Sequence, residues 1–203
     1  MSPAEIVRKL GEFAAATLYE ACGKCGGMTA EIRPIVPGAK LAGVAYTVRT
    51  LGAETAAVLR AIDEAPRGSV LVIDSGSVGI APIWGGTSSL ASSVRGLAGC
   101  VTNGCARDVA GITKVGLPVY AAGVCVIGTL KNHPGWHGVS ITIGGVTIHP
   151  GDYVIGDADG VMVVPASMGE RAIAAATMQH ENEEARDARV RSGESISSVV
   201  GLR

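Results

Sequence analysis

The sequence lacks three features that would place it in a specialised class: a block of basic residues, a long hydrophobic run and a matched set of cysteines. Its 17 basic and 18 acidic residues give a net charge of −1 at pH 7, and no segment carries the concentrated positive charge of a nucleic-acid surface. No apolar run approaches the length of a membrane span, and the first residues do not resemble the hydrophobic part of a signal peptide. We therefore expect a cytoplasmic protein that binds neither nucleic acid nor membrane.

The five cysteines form neither a recognisable zinc site nor a disulfide framework. Cys22 and Cys25 make a CxxC pair, but no second pair or suitably spaced histidine completes a zinc site. A redox-active CxxC is expected to follow a strand, whereas this one follows a helix-like segment. The odd number favours reduced thiols, which we interpret as small hydrophobic residues.

Glycine and aliphatic residues are abundant instead. Hydrophobic residues make up 47% of the chain, and 29 of its 203 residues are glycine. This mixture is typical of a globular α/β or β-rich protein, and the length suits one domain covering residues 1–203. Periodicity and turn signals predict helices at residues 2–11, 14–22, 54–65, 87–95, 109–114 and 167–192, and strands at 41–50, 70–73, 97–102, 118–122, 125–127, 139–143, 146–148, 153–157 and 161–164.

The segment 74–108 contains a helix N-terminus suited to a small anion. A buried strand leads into a loop that passes through Gly85 and Gly86, after which a helix is expected to run to about Arg95. Three hydroxyl residues are available to cap this helix: Thr87, Ser88 and Ser89. Helix N-termini carry unpaired N–H groups and a partial positive charge, so they attract carboxylates and phosphates. The exposed glycine amides therefore predict an anion site.

An arginine–aspartate pair follows the next predicted strand. The apolar run at 97–102 is expected to break at Asn103 and Gly104, and Arg107 and Asp108 come shortly after it. Arginine is suited to binding carboxylates, and an aspartate oxygen is a ligand that Mg²⁺ prefers. The pattern predicts a small-anion site with a metal ligand, although an aspartate at this position could also serve as a helix cap alone.

Three runs of the sequence carry a family resemblance: IWGGTSSLASSVRGLAGCVTNGCARD, GTLKNHPG and GGVTIHPGDYVIGDADGVMVVP. They resemble the 4-hydroxy-4-methyl-2-oxoglutarate aldolase family, whose superfamily also contains the ribonuclease E activity regulators. The resemblance covers nearly the whole chain, and the 20 residues that separate Gly86 from Arg107 match the spacing of the family motif.

The resemblance implies a three-layer β/β/α fold of the α/β class, related to the phosphohistidine swivelling domain. It also implies a homotrimer, or a hexamer of two stacked trimers, with active sites between subunits. The aldolase members are Mg²⁺- or Mn²⁺-dependent lyases that release pyruvate from 4-hydroxy-2-oxo dicarboxylates. They also decarboxylate oxaloacetate, and they use no Schiff-base lysine.

The resemblance further implies a role for each residue of the motif. Asp108 would hold Mg²⁺ or Mn²⁺, and Arg107 would act as the catalytic residue that contacts the oxygens of a small 2-oxo acid substrate. The backbone amides that would bind the substrate carboxylate belong to Gly85, Gly86, Thr87 and Ser88. Both reactions leave a pyruvate enolate, whose negative charge a divalent cation and a neighbouring guanidinium stabilise.

Three acidic residues of the aldolase members are replaced in this sequence. Gly86 stands where these members usually have Asp or Glu, Gly111 stands where a further acid is often found, and Asn103 replaces the Asp of an Asp-Gly pair. One of the lost carboxylates is thought to assist proton transfer through a bound water. The sequence therefore predicts that metal binding is retained and that aldol cleavage is weakened.

Other polar residues are weaker candidates. Lys131, His133 and His137 share one loop and could supply a proton donor or a contact to a substrate carboxylate, or they could simply be solvated. Asp157 and Asp159 are better interpreted as turn residues than as a metal pair. Two acidic residues of the C-terminal helix lie where a family acid reaches a neighbouring subunit: Glu181 and Glu184.

Two functions thus stay open at the level of the sequence. The first is a metal-dependent lyase that acts on a pyruvate-derived 2-oxo acid, or on a different substrate with the same fold. The second is a non-catalytic, protein-binding regulator that resembles the ribonuclease E activity regulators. The Arg107–Asp108 pair favours the enzyme, and the lost acids favour the regulator or another substrate.

Overall fold

A mixed sheet of nine strands lies at the centre of the computed structural model, which describes residues 1–202. The strands of this sheet are β1 Arg33–Pro34, β2 Leu41–Arg49, β3 Ser69–Asp74, β4 Pro82–Trp84, β5 Gly99–Ala106, β6 Val119–Val124, β7 Trp136–His137, β10 Tyr153–Gly156 and β11 Val161–Val164. A separate two-stranded sheet consists of β8 Ile141–Ile143 and β9 Val146–Ile148. The helices are α1 Pro3–Leu10, α2 Ala15–Ala21, α3 Ala56–Glu64, α4 Gly86–Arg95, α5 Val109–Val115, α6 Gly169–Arg191 and α7 Ile196–Val199.

The central sheet has the strand order β1-β6-β5-β3-β2-β10-β11, with β4 added beside β5 and β7 beside β2. Strands β2, β3, β5 and β6 are parallel to one another, and β4 is parallel to β5. Because parallel strands end at the same edge of a sheet, the loops after β4, β5 and β6 come together there.

The two faces of the sheet are covered by different elements, which confirms the predicted β/β/α layers. On one face, α3, α4 and α5 bury apolar side chains against residues such as Leu71, Ile73 and Val119. On the other face, the small antiparallel sheet of β8 and β9 packs on Val70, Val72 and their neighbours. Helices α1, α2 and α6 form a further cluster against β10 and β11.

Several sequence predictions are wrong in detail. Strand β5 continues through Asn103 and Gly104, where its pairing with β6 shifts register, and these buried residues form no turn. The predicted strand at 125–127 is absent from the described elements, and the predicted strand at 118–122 instead extends to Val124 as β6. The predicted break failed because the glycine at 104 lets the Ile83 side chain pack closely against β5: a Cβ there would lie 2.8 Å from the Ile83 side chain.

Other predictions are confirmed. The hairpin between β8 and β9 turns at Gly144 and Gly145, both of which have positive φ, the left-handed conformation that favours glycine. The long C-terminal helix is present as α6. Within residues 1–202, no helix combines the length and the hydropathy that crossing a membrane requires.

Candidate active site

A cleft of about 790 Å³ opens where β4, β5 and β6 end. Its lining brings together all the site residues that the motif predicted: Gly85, Gly86, Thr87, Ser88, Arg107 and Asp108. The remaining lining residues are Thr55, Leu59, Ile83, Trp84, Ala91, Val109, Val124, Cys125, Val126, Thr129 and Lys131. Apolar walls thus surround a small group of polar and charged side chains, as is common for sites that bind small molecules.

The first turn of α4 forms one side of the cleft. The helix begins at Gly86 with Gly85 as its N-cap, so the prediction that Thr87, Ser88 or Ser89 caps it is wrong. Ser89 instead accepts a hydrogen bond from the indole N–H of Trp84 at 2.8 Å, and its own amide bonds to Gly85 O at 3.0 Å. Within residues 1–202, no side chain caps α4, and its first amides therefore remain available to an anion in the cleft.

The arginine–aspartate pair lies directly beside this turn. The amide of Arg107 donates to Trp84 O at 2.9 Å, which fixes the end of β5 beside the end of β4. The Arg107 guanidinium donates to Ile127 O at 3.3 Å and forms no salt bridge within residues 1–202. It is half-buried at the cleft wall, where a charged donor can meet a bound carboxylate or oxo group.

Asp108 has a strained backbone and caps α5. Its φ of 59° lies in the left-handed region, and its Oδ1 accepts a hydrogen bond from Gly111 N at 3.2 Å. Such outliers persist where the surrounding structure fixes them, and they are common at functional sites. The helix-cap interpretation that the sequence left open is therefore correct, and it is compatible with a second role for Oδ2.

The glycines at the positions of the lost acids enclose the Asp108 carboxylate. A Cβ at Gly86 would lie 2.1 Å from Asp108 Oδ2, and a Cβ at Gly111 would lie 2.4 Å from the same atom. The two glycines therefore do not leave an empty space. They make room for the carboxylate of Asp108 itself.

These residues fit a water-rich Mg²⁺ or Mn²⁺ site and do not fit a site built wholly from protein ligands. Oδ2 of Asp108 accepts no hydrogen bond from any residue in the described range 1–202. No group of three or more His, Cys, Asp or Glu side chains suited to a metal ion is found in the same range. Mg²⁺ commonly binds through one or two carboxylates and keeps several waters.

Of the three loop candidates, the lining of the cleft includes Lys131 alone. The loop is fixed by Glu54, whose carboxylate accepts from the amides of Asn132 at 2.7 Å and His133 at 3.1 Å. His137 lies outside the cleft lining, with its ring nitrogens 2.8 Å from Ala57 O and 3.1 Å from Glu64 Oε2. The ring of His133 is also outside and accepts from Gly135 N.

The remaining acidic candidates lie elsewhere in the described chain. Asp159 N donates to Asp157 Oδ1 at 3.0 Å, which confirms the turn interpretation. Glu184 is exposed on α6 beside His180 at 3.6 Å, and Glu181 is exposed on the same helix. Neither glutamate lines the cleft formed by residues of this chain.

Sequence reasoning missed Cys125 as a residue of the cleft. Cys105 lies close to it on the neighbouring strand β5, with its thiol 3.1 Å from Gly79 O. Burial raises the pKa of Cys105 to about 11, and a hydrogen bond with Cys125 contributes to the rise. The pairing of β5 with β6 brings these cysteines together, and their separation in sequence gave no sign of it.

Asn103 belongs to a buried polar network at the end of β3. Its Nδ2 donates to Asp74 Oδ1 at 2.9 Å, and its Oδ1 accepts from Ser75 N at 2.8 Å. Asn103 is 5% exposed, so these bonds are shielded from solvent. An amide can both donate and accept here, which a carboxylate cannot do.

We therefore expect Asn103→Asp to destabilise the fold by about 1–3 kcal/mol at neutral pH, because two carboxylates would share the site. Repulsion would raise the folded-state pKa of one carboxyl above its unfolded value, so the deficit should shrink as pH falls and grow as pH rises through that pKa. Urea denaturation between pH 5 and 8 measures this, with exposed Asn182→Asp as the matched control. Equal stability of the two variants at pH 8 would refute this role of the network.

The protein is thus an α/β protein whose cleft combines an uncapped helix N-terminus with an arginine–aspartate pair. Residues 15–163 match the RraA-like family, described as Aldolase/RraA, and the chain belongs to this family. A Halalkalibacterium halodurans protein whose provisional name is 4-hydroxy-4-methyl-2-oxoglutarate aldolase is 31% identical over 189 residues, which cover 92% of this chain and 90% of that protein.

Two solved structures share the fold over most of the chain. An uncharacterized protein from Pseudomonas syringae pv. tomato has a TM-score of 0.85 and 25% identity, covering 98% of this chain and 94% of that one. Streptomyces coelicolor RraAS2, described as an unusual member of the RNase ES inhibitor RraA protein family, has a TM-score of 0.81 and 25% identity, covering 91% and 98%. The family thus includes both provisionally named aldolases and ribonuclease inhibitors.

Proposed function

We propose that this protein is a divalent-metal-dependent lyase that forms a pyruvate enolate from a 2-oxo acid, by aldol cleavage of a 4-hydroxy-2-oxo acid, by decarboxylation of oxaloacetate, or by both. One observation carries the proposal. The uncapped amides of α4 and the Arg107–Asp108 pair face one cleft, although 20 residues separate them in the sequence.

Different residues of this cleft would bind different groups of the substrate. The first amides of α4 would bind the carboxylate of the substrate, since they are unpaired and lie at the positive end of the helix dipole. Arg107 would donate to the 2-oxo oxygen and stabilise the negative charge that develops there in the enolate. The apolar walls, which include Trp84 and Val109, would exclude water from the bound substrate.

Asp108 would hold the cation through Oδ2, with water completing the coordination. When bound, Mg²⁺ or Mn²⁺ would act as a Lewis acid toward the 2-oxo acid. Asp108 caps α5 through Oδ1, which accepts from Gly111 N, so its two roles use different oxygens. Because Gly86 and Gly111 have no side chains, neither residue occupies the space beside Asp108 Oδ2 where the ion would bind.

A non-catalytic regulator is the second candidate, and the likeness to RraAS2 favours it. A regulator that acts through its surface has no need of an arginine and a carboxylate inside an apolar cleft. The two candidates separate in one assay. Pyruvate release is followed from oxaloacetate and from 4-hydroxy-4-methyl-2-oxoglutarate, with Mg²⁺, with Mn²⁺ and with EDTA. Metal-dependent release that EDTA abolishes supports the lyase, and release no faster than the protein-free blank supports the regulator.

Lys131 is expected to recognise a second carboxylate of the substrate. It lines the cleft and is exposed, so its charge is free to meet an anion. We expect Lys131→Gln to raise KM for oxaloacetate about tenfold, since a charged hydrogen bond is worth about 1.5–3 kcal/mol before solvent screening. The same variant should exchange the methyl protons of pyruvate with solvent at the unmodified rate. This exchange also passes through the enolate, but pyruvate has no second carboxylate for Lys131 to bind. Lys114→Gln, on the exposed side of α5, is the matched control. An unchanged KM for oxaloacetate would contradict the assignment.

A homotrimer or hexamer is also part of the proposal. Four apolar residues after the end of β6 or at the cleft mouth are exposed in the single chain: Val124, Val126, Ile127 and Leu130. Val126 is 96% exposed, which is unusual for an isolated chain and suits an interface. Sedimentation velocity should give a mass of three or six 20.5 kDa chains. Replacing Val126 with Glu should shift it toward smaller species, whereas a single 20.5 kDa species for the unmodified protein at micromolar concentration would overturn the expectation.

A further inference from the structure

We infer that Cys105 and Cys125 form an oxidation site, a thiol pair that a hydroperoxide converts to an intramolecular disulfide at the wall of the cleft. This inference does not depend on the lyase reaction. It rests on how two neighbouring strands place two thiols that are far apart in the sequence.

The pairing of β5 and β6 puts both cysteines on one face. Cys105 lies opposite Gly123, and alternate residues of a strand point to the same side, so Cys125 points to the side of Cys105. The amide of Cys125 donates to Ala106 O at 3.0 Å, which continues the ladder one residue past the end of β6. A Cβ at Gly123 would lie 3.4 Å from Cys105 Sγ, so Cys105 leans toward β6 and glycine leaves no side chain between the strands there.

The two thiols differ in access. Cys105 is 2% exposed, whereas Cys125 is half-buried and lines the cleft. An oxidant that enters the cleft therefore reaches Cys125 first, and Cys105 is positioned as the resolving thiol. Because Cys125 is the last residue of this ladder, a shift of its backbone toward Cys105 would disturb its bond to Ala106 O and leave the pairing of β6 itself in place.

The chemistry balances with a hydroperoxide as the oxidant. The sulfur of Cys125 attacks the outer oxygen of ROOH, the O–O bond breaks, and Cys125 sulfenic acid and ROH form. Cys105 then attacks this sulfur, the S–O bond breaks, and water leaves with the proton of the Cys105 thiol. Two thiols and one ROOH thus give one disulfide, ROH and water.

A crosslink here would alter both sides of the cleft. It would hold residues 124–126 of the cleft wall against β5, just before Arg107. It would also remove the S–H that Cys105 donates to Gly79 O, a contact that anchors the loop 75–81. Oxidation would therefore reshape the cleft and weaken the attachment of this loop, which would keep its backbone bonds from Gly79 N to Asn103 O and from Cys105 N to Ala81 O.

The test uses the intact protein treated with one and ten equivalents of hydrogen peroxide, followed by N-ethylmaleimide. We expect the number of free thiols to fall from five to three, and dithiothreitol to restore it. Trypsin should yield the peptide 96–107 linked to the peptide 115–131. Hydrogen exchange should increase at 75–81 in the oxidised form. None of these measurements needs turnover, so they hold or fail independently of the lyase proposal.

Variants decide which thiols take part. Cys105→Ser and Cys125→Ser should each abolish the linked peptide, and the Cys100→Ala variant should retain it, since Cys100 shares the peptide 96–107. The double replacement of Cys22 and Cys25 by serine is the matched control and should leave the crosslink unchanged. Five remaining thiols, a bond to any other cysteine, or Cys125 sulfinic acid beside an unmodified Cys105 would each overturn the inference.

Discussion

Replacing Asp108 with asparagine is expected to abolish metal-dependent turnover, with a loss of at least about 10²–10³-fold in kcat, the range seen when one stabilising group is removed from an active site. Oδ2 is the atom proposed to bind the cation, and an amide nitrogen in its place is a donor that repels a cation. Pyruvate release and Mn²⁺ binding by electron paramagnetic resonance measure the two consequences separately.

Asparagine is a sharper replacement than alanine because of the structural role of Asp108. It tolerates the left-handed φ of 59°, and its carbonyl oxygen can still accept from Gly111 N and cap α5. Stability should therefore change little, whereas Asp108→Ala should also lose about 1 kcal/mol through the missing cap. Asp159→Asn, in an exposed turn, is the control. Full, EDTA-sensitive turnover by Asp108→Asn would refute the metal assignment.

Local patterns predicted the elements whose signals are local. Capping residues, periodic apolar positions and the Gly144-Gly145 turn all act within a few residues, so α6 and the β8–β9 hairpin were predicted. Asn103-Gly104 is ordinarily a turn signal, and it failed because partners distant in sequence decide its conformation. Asp74 and Ser75 satisfy the Asn103 amide, and Ile83 occupies the space beside Gly104.

In the candidate site, too, the sequence predicted some features, and contacts between residues distant in sequence determine the others. The motif predicted which of its residues would meet, and the parallel ends of β4 and β5 bring them into one cleft. The sequence could not separate Lys131 from the two histidines of its loop. That choice is made by Glu54, which holds the loop through two amides, and by Glu64 and Ala57, which engage His137. Leu59 of α3 is exposed and lines the cleft for a similar reason, because the packing of α3 against the sheet sets which side of the helix faces inward.

Replacing Gly86 with aspartate is expected to increase the ratio of aldol cleavage to decarboxylation. Cleavage needs a base to remove the proton of the substrate hydroxyl, whereas decarboxylation of oxaloacetate needs only stabilisation of the enolate as CO₂ leaves. Positioned acid–base groups contribute about 10²–10⁴-fold in rate. We therefore expect the unmodified protein to decarboxylate oxaloacetate at least as fast as it cleaves 4-hydroxy-4-methyl-2-oxoglutarate.

The structure adds a requirement to this experiment. Gly86 is the first residue of α4 and has an ordinary helical position, so its backbone accepts a side chain, but a Cβ there would lie 2.1 Å from Asp108 Oδ2. The Asp108 carboxylate must therefore rotate away, and this movement alone is expected to lower both rates. Gly86→Ala isolates that steric effect, and Gly86→Asn adds the size of the side chain without the charge.

The informative quantity is the ratio of cleavage to decarboxylation in Gly86→Asp divided by the same ratio in Gly86→Ala. A value well above one, with Gly86→Asn close to one, supports the loss of a base as the reason for weak cleavage. If the unmodified protein cleaves far faster than it decarboxylates and the aspartate gives no gain, another residue supplies the base. Apart from Arg107 and Asp108, the residues that line the cleft and have side chains able to act as a base are Lys131 and Cys125. They would be tested before His133 and His137, which lie outside its lining.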